Sequence, residues 1–162
     1  MLWVACQLIG GFIYGHLLEW AIHRYILHDL GKKKTGPLSF HFSEHHRNSR
    51  KNGFYDAVYE KLAWDAGGKE LLALMLLVLP HLLLINIAPW FVAVNIISAV
   101  RYHTVHRRAH LDPAWAKVNL PWHYDHHMGS NQDANWGVRS DWVDKAMGTR
   151  IIFMRADGKE YE

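Results

Sequence analysis

A single cysteine, Cys6, stands in a chain of 162 residues. That excludes a disulfide framework and every cysteine-based zinc or iron–sulfur site. A glycine-rich dinucleotide fingerprint is also missing. Charge is scarce, 20% of residues against 50% hydrophobic, which excludes a disordered chain. The net charge of +3 is too small to point to nucleic acid, and no nucleic-acid partner is expected. Positive charge is absent from two stretches: all 18 Lys and Arg lie in residues 24–69 or 101–159, none in 1–23 or 70–100. In surplus are 13 histidines and 8 tryptophans. Abundant imidazole with almost no thiol points to metal binding, and imidazole suits iron, zinc, copper or nickel.

The stretches without Lys or Arg are also the apolar ones. Leu71 to Val100 carries no charge over 30 residues, beyond the ~18 that mark a membrane helix. Leu2 to Leu18 lacks a basic leader and a small-residue cleavage site and runs into a histidine motif, so it reads as a retained span. As one helix, 71–100 would reach roughly 45 Å, too long for a ~30 Å hydrocarbon core. Pro89, before Trp90, marks a turn, and Pro80 a kink in the outgoing arm.

The expected fold is therefore all-α: an integral membrane protein with one N-terminal span plus a helical hairpin, at about 2–22, 70–87 and 90–106. A helical, histidine-rich cap comes from 23–69 and 107–162, and the whole of 1–162 forms one domain. The hairpin puts every Lys and Arg on one side, which the positive-inside rule makes the cytoplasmic face of a bacterial inner membrane or endoplasmic reticulum. A short polar helix is expected to end at Gly67-Gly68, and Lys32–Lys34 and Arg107-Arg108 read as headgroup anchors.

Eleven histidines fall in four groups on that side: His23 and His28; His41, His45 and His46; His103, His106 and His110; His123, His126 and His127. On a helix, residues three and four apart share a face, so His41/His45, His106/His110 and His123/His126/His127 can each present imidazoles to one point. Adjacent histidines diverge by about 100°, which lets one segment serve two metals. Ten imidazoles exceed one ion's needs, and two metals with four or five each use the inventory. His16 and His81, alone in apolar segments, read as packing or interfacial residues. His103 is either a donor behind His106 or an interfacial residue. Metal-bound imidazoles usually donate their other N–H to a carboxylate; Glu19, Asp29, Glu44 and Asp125 sit within or beside the groups, with Asp125 between His123 and His126 the foremost. Glu-x-x-His, the mark of soluble diiron bundles, does not occur.

The order HX4H, HX3HH, HX3H, HX2HH resembles the membrane fatty acid hydroxylase/sterol desaturase superfamily of non-haem diiron enzymes, as do Glu19-x3-His23-Arg24 and Asn135-Trp136-Gly137…Trp142-Val143-Asp144…Met147-Gly148-Thr149. The resemblance covers about Glu19 to Thr149. It implies His23, His28, His41, His45, His46, His106, His110, His123, His126 and His127 as metal ligands, one of them reaching metal through water. Asp125, Glu19 and His103 are expected as supporting residues. It also implies two iron ions, replaceable by zinc in a purified sample, and O2-dependent oxidation of a lipid C–H bond. No residues beyond the metal centre are expected to be catalytic. Electrons must come from a separate donor protein, since the chain carries neither a dinucleotide motif nor cysteines for a cluster. The leading expectation is a hydroxylase of a fatty acyl or related lipid. The alternatives are a sterol or carotenoid hydroxylase or desaturase and, from a different class, a metal-binding membrane transporter or scaffold. Transporters place ligands within the spans on paired repeats, which this sequence lacks.

Overall fold

In a computed structural model, which describes residues 1–33, 36–61 and 63–153, the chain is all-helical, with no strand among the described residues. Lys34, part of the expected basic loop, lies outside the described residues.

Helix α1 (Leu2–Ala21) runs without a break into a π-helical segment, Ile22–Leu30. A second π-helical segment, His41–His46, leads into α2 (Arg47–Lys51). Helix α3 (Ala66–Val78) continues as a 3-10 helix over Leu79–Leu84. Then come α4 (Pro89–Leu111), α5 (Pro113–Asn119), α6 (Pro121–Met128) and α7 (Trp142–Met147).

Proline sets the hairpin as expected. Pro80 lacks the N–H an α-helix needs, and there the outgoing arm tightens from α to 3-10 geometry. Pro89 opens the returning arm in the first turn, where no N–H is required. The Gly67-Gly68 pair begins a helix instead of ending one. Asp65 caps α3, its carboxylate accepting from the backbone N–H of Gly67 (3.0 Å) and Gly68 (3.3 Å). A Cβ on Gly67 would stand 2.8 Å from the carbonyl oxygen of Val58, so glycine admits that close approach.

Among the described residues, two helices are long and apolar enough to cross a membrane, Leu2–Leu30 and Ala66–Leu84. Their outward faces expose large apolar side chains, among them Ile9, Phe12, Met75, Leu76 and Leu83, a surface matched to lipid. Helix α4 packs chiefly along α1. Two glycines one turn apart allow this: Cβ atoms on Gly11 and Gly15 would come to 3.1 Å from Val94 Cβ and 3.0 Å from Ser98 Oγ.

Beyond the long helices, Phe54, Ala109, Ala116, Leu120 and Tyr124 form one small core, and Trp20, Trp136 and Val143 another. Between these two cores lie the histidines.

Candidate metal centre

The four histidine segments converge. Ligand nitrogens of His23, His28, His41, His46 and His126 all lie within 4.8 Å of one another, as do those of His45, His106, His110 and His127. Nε2 of His123 stands 3.3 Å from Nε2 of His110, at the edge of the second group. Every one of these ten rings is buried.

Local helix geometry explains the sorting. His23 and His28 are five residues apart, as are His41 and His46. On an α-helix such pairs diverge, but both lie in π-helical segments, whose i→i+5 bonding brings residues five apart near one face. His41 is thereby grouped with His46, and His45 goes to the second group, unlike the His41/His45 pairing that α-helical spacing suggests. The adjacent pairs His45-His46 and His126-His127 split between the groups, as the 100° divergence requires. His106 and His110, four apart on α4, stay together.

The outer nitrogens are held in place. Nδ1 of His23 donates to the Trp136 carbonyl (2.6 Å), that of His126 to Ala134 (2.7 Å) and that of His110 to Phe54 (2.8 Å). Nδ1 of His106 donates to the Glu70 carboxylate (2.7 Å) and that of His45 to Asp56 (3.0 Å). Carbonyls and carboxylates only accept, so these five rings carry their proton on Nδ1 and leave Nε2 as a lone pair. His28 Nδ1 lies 3.4 Å from Asp133, and His46 Nδ1 2.8 Å from the Gln132 amide.

Those lone pairs need a cation. In the first group Nε2 atoms crowd at 3.1–3.2 Å: His23 against His41, His28 against His46 and His126, His46 against His41. In the second, Nε2 of His45 and His106 and both nitrogens of His127 are buried without a hydrogen-bond partner among the described residues. Uncompensated buried acceptors of this kind are costly, and two metal ions would satisfy both sets. Burial holds His41, His45, His46, His110, His123, His126 and His127 well below the ordinary imidazole pKa, with neighbouring imidazoles adding to the effect. They are therefore neutral, the form that binds metal. Burial pushes the Asp56 carboxyl the other way, up to about 6.

Two strained residues serve the rings. Phe54 (φ 82°) and Asn135 (φ 59°) both adopt left-handed backbone. Phe54 presents its own carbonyl to His110, and Asn135 separates the carbonyls that hold His126 and His23. Strain of this sort persists where surrounding contacts over-determine it. Around Asn135 the determinant is Asp144, fully buried, which accepts from the N–H groups of Trp136 (2.9 Å) and Gly137 (2.7 Å) and from the hydroxyl of Thr149 (2.6 Å).

Of the residues expected to support the ligands, Glu19 hydrogen-bonds to no histidine among the described residues. Its carboxylate accepts from the backbone of Val138 (2.6 Å) and Arg139 (3.0 Å) and pairs with the Arg139 guanidinium, fastening the segment whose Trp136 carbonyl holds His23. His103 Nδ1 lies 3.4 Å from Glu70, on the carboxylate oxygen that His106 does not use. Asp125 pairs with Arg150 at 3.2 Å. Glu44 pairs with Lys69, and Asp29 is exposed. His81, remote from both groups, donates from Nδ1 to the Leu77 carbonyl (3.0 Å) and accepts at Nε2 from Tyr14 (3.1 Å). His16 is buried against Ser140 at 3.2 Å.

Sequence reasoning missed Glu70, Asp56 and Tyr59, whose hydroxyl donates to Glu70 at 2.6 Å. Glu70 carried a signal: it is the last charge before thirty uncharged, mostly apolar residues, where a carboxylate must find a partner. The carbonyl partners have no signal in side-chain identity.

A cavity of about 330 Å³ opens beside the first group. His23 and His41 border one end and His81 the other, with Leu18, Leu74 and Leu77 among the walls between.

Among known proteins, the family model for fatty acid hydroxylase matches residues 8–149. Searches of curated proteins and of solved structures returned no match.

Proposed function

Because the chain belongs to the fatty acid hydroxylase family, we propose that it is an O2-dependent diiron lipid hydroxylase, acting on a C–H bond of a fatty acyl or related lipid with electrons from a separate donor protein. The observation that carries this reading is the apolar cavity that begins at His23 and His41 and runs between α1, α3 and α4. It juxtaposes a histidine centre with a space suited to a hydrocarbon.

His23, His28, His41, His46 and His126 would hold one iron, and His45, His106, His110 and His127, with His123 beside them, the other. Two irons held there supply activation of O2 and removal of hydrogen from an unactivated C–H bond. The protein's own contribution is positional. The carbonyls of Phe54, Ala134 and Trp136 and the carboxylates of Asp56 and Glu70 fix ring orientation. The leucine walls exclude water, and they align one extended chain past the first group. At about 330 Å³ the cavity has room for an extended hydrocarbon chain of roughly ten methylenes.

The histidine end would face the cytoplasm, with residues 90–106 of α4 as a third span and the basic residues around the histidines docking an acidic electron donor. The test is mass spectrometry of lipids from cells expressing the protein under isotopically labelled O2. One labelled oxygen in a new hydroxylated lipid is expected. Label absent from every lipid would contradict the reading.

A further inference from the structure

A line of aromatic rings leads away from the first histidine group. Trp136, only 3% exposed, sets its ring against three of the group's imidazoles, with centroids 4.6 Å from His28, 5.6 Å from His126 and 5.8 Å from His23. Behind them, Trp136 packs with buried Trp20 in one core. Trp20 in turn meets Tyr25 edge-on at 5.9 Å, and Tyr25 is 47% exposed. Two indoles and a phenol, the side-chain rings most readily oxidised, run in unbroken contact from the histidines to the surface. The second group has no matching exit. Tyr59 and Tyr102 touch its rings but are buried, and their ring contacts are with histidines alone among the described residues.

Proton acceptors decide where an oxidised ring comes to rest. The Trp136 indole N–H is buried without a hydrogen-bond partner among the described residues. That of Trp20 donates to the Thr149 hydroxyl (3.1 Å), a weak base that is itself a donor to Asp144. An indole that loses an electron here keeps its proton, and so holds a positive charge in a buried place, which is costly. The Arg24 guanidinium, 5.2 Å from the ring centroids of both Trp20 and Tyr25, repels that charge further. Tyr25 differs. Its exposed phenol can release a proton to water, and the neutral radical left behind escapes both penalties.

We propose that Trp136, Trp20 and Tyr25 form an electron relay that returns the metal centre to rest when oxidation begins with no substrate C–H bond in reach. The inference rests on the hydroxylase reading above and adds a protective function to it. Trp136 gives one electron to the oxidised centre, Trp20 refills Trp136, and Tyr25 refills Trp20 while its proton passes to water. A small cellular thiol then restores Tyr25 by giving up its hydrogen atom. Two passes supply two electrons, and the two thiyl radicals combine. With the two electrons and two protons that the donor protein and solvent supply, one O2 and two thiols become two waters and one disulfide. The histidines nearest the oxidant are spared.

The experiment loads the full chain with ferrous iron in micelles of a fluorinated surfactant, whose tail lacks C–H bonds, adds O2 and freezes samples for electron paramagnetic resonance. Wild type is expected to show a tyrosyl signal that narrows when its tyrosines are ring-deuterated. That signal should vanish in Tyr25→Phe, which alters only an exposed hydroxyl, and in Trp20→Phe and Trp136→Phe, with iron content unchanged. Peptide mass spectrometry should find more oxygen added to the histidine-bearing segments in all three variants than in wild type. Absence of any protein radical in wild type while its iron is oxidised, or a tyrosyl signal of full strength in Tyr25→Phe or Trp136→Phe, would overturn the proposal. Failure of the hydroxylase reading looks different: Mössbauer spectra would show the ferrous iron of wild type and variants alike unchanged by O2, and the relay would fall with it.

Discussion

The Glu70 carboxylate accepts a hydrogen bond from His106 Nδ1 at 2.7 Å. A carboxylate on α3 thereby fixes a ring on α4, coupling the apolar hairpin to the second histidine group. Glu70→Gln keeps the shape and removes the charge. It is expected to weaken metal binding at the second group about 10–100-fold and leave the first group unaffected. Metal titration that resolves a strong and a weak site would show this; two equally weakened sites would not fit.

His126 and His127 are neighbours in sequence but belong to different groups. His126→Ala and His127→Ala should each lose one metal, from different sites, and lipid oxidation should collapse in both. His81→Ala should retain both metals, because His81 lies at the far end of the cavity with Leu77 and Tyr14 as its partners. Metal analysis of the three variants beside wild type is the check, and loss of metal from His81→Ala with retention in His126→Ala would contradict it.

Much of this was legible in the sequence, and the limits have physical causes. The all-helical class and the hairpin turn at Pro89 follow from apolar runs and proline chemistry. Division of adjacent histidines between two sites follows from helical geometry. The π-helical segments were not legible: an HX4H spacing misfits an α-helix, and only tertiary packing shows that the helix widens to accommodate it. The supporting partners were hidden for a different reason. Three ligand rings bond to backbone carbonyls, which every residue possesses, so no letter marks Phe54, Ala134 or Trp136 as partners. Asp144 stood in the Trp142-Val143-Asp144 motif, but its role in holding the Trp136-Gly137 backbone appears only in three dimensions.

The metal-free protein should lose stability in acid. Seven imidazoles outside the spans have folded-state pKa values well below 6.5 through burial. Below that pH the unfolded chain binds more protons than the folded one, so stability is present above 6.5 and falls as pH drops, by up to about 1.4 kcal/mol per unit per histidine. Asp56 works in the opposite direction: its folded-state pKa is about 6, above the ordinary carboxylate value, so it favours folding as pH falls through 6. One carboxyl cannot offset seven rings. Thermal unfolding of metal-free protein should shift downward between pH 7 and about pH 5; a transition unchanged over that range would argue against buried neutral histidines.

The one-sided distribution of Lys and Arg predicts a shared face for the two cap segments. Cysteines placed at Lys32 and Lys117 should be labelled from the same side of the membrane, and one at Ala88 from the opposite side or not at all. Labelling of the first two from opposite sides would rule out a hairpin.

The central claim is that ten buried imidazoles form two metal sites, and elemental analysis of the purified protein tests it most directly. Two transition-metal ions per chain are expected, iron in active preparations, with His126→Ala and His127→Ala each retaining one. A single ion per wild-type chain, lost completely in both variants, would contradict the account.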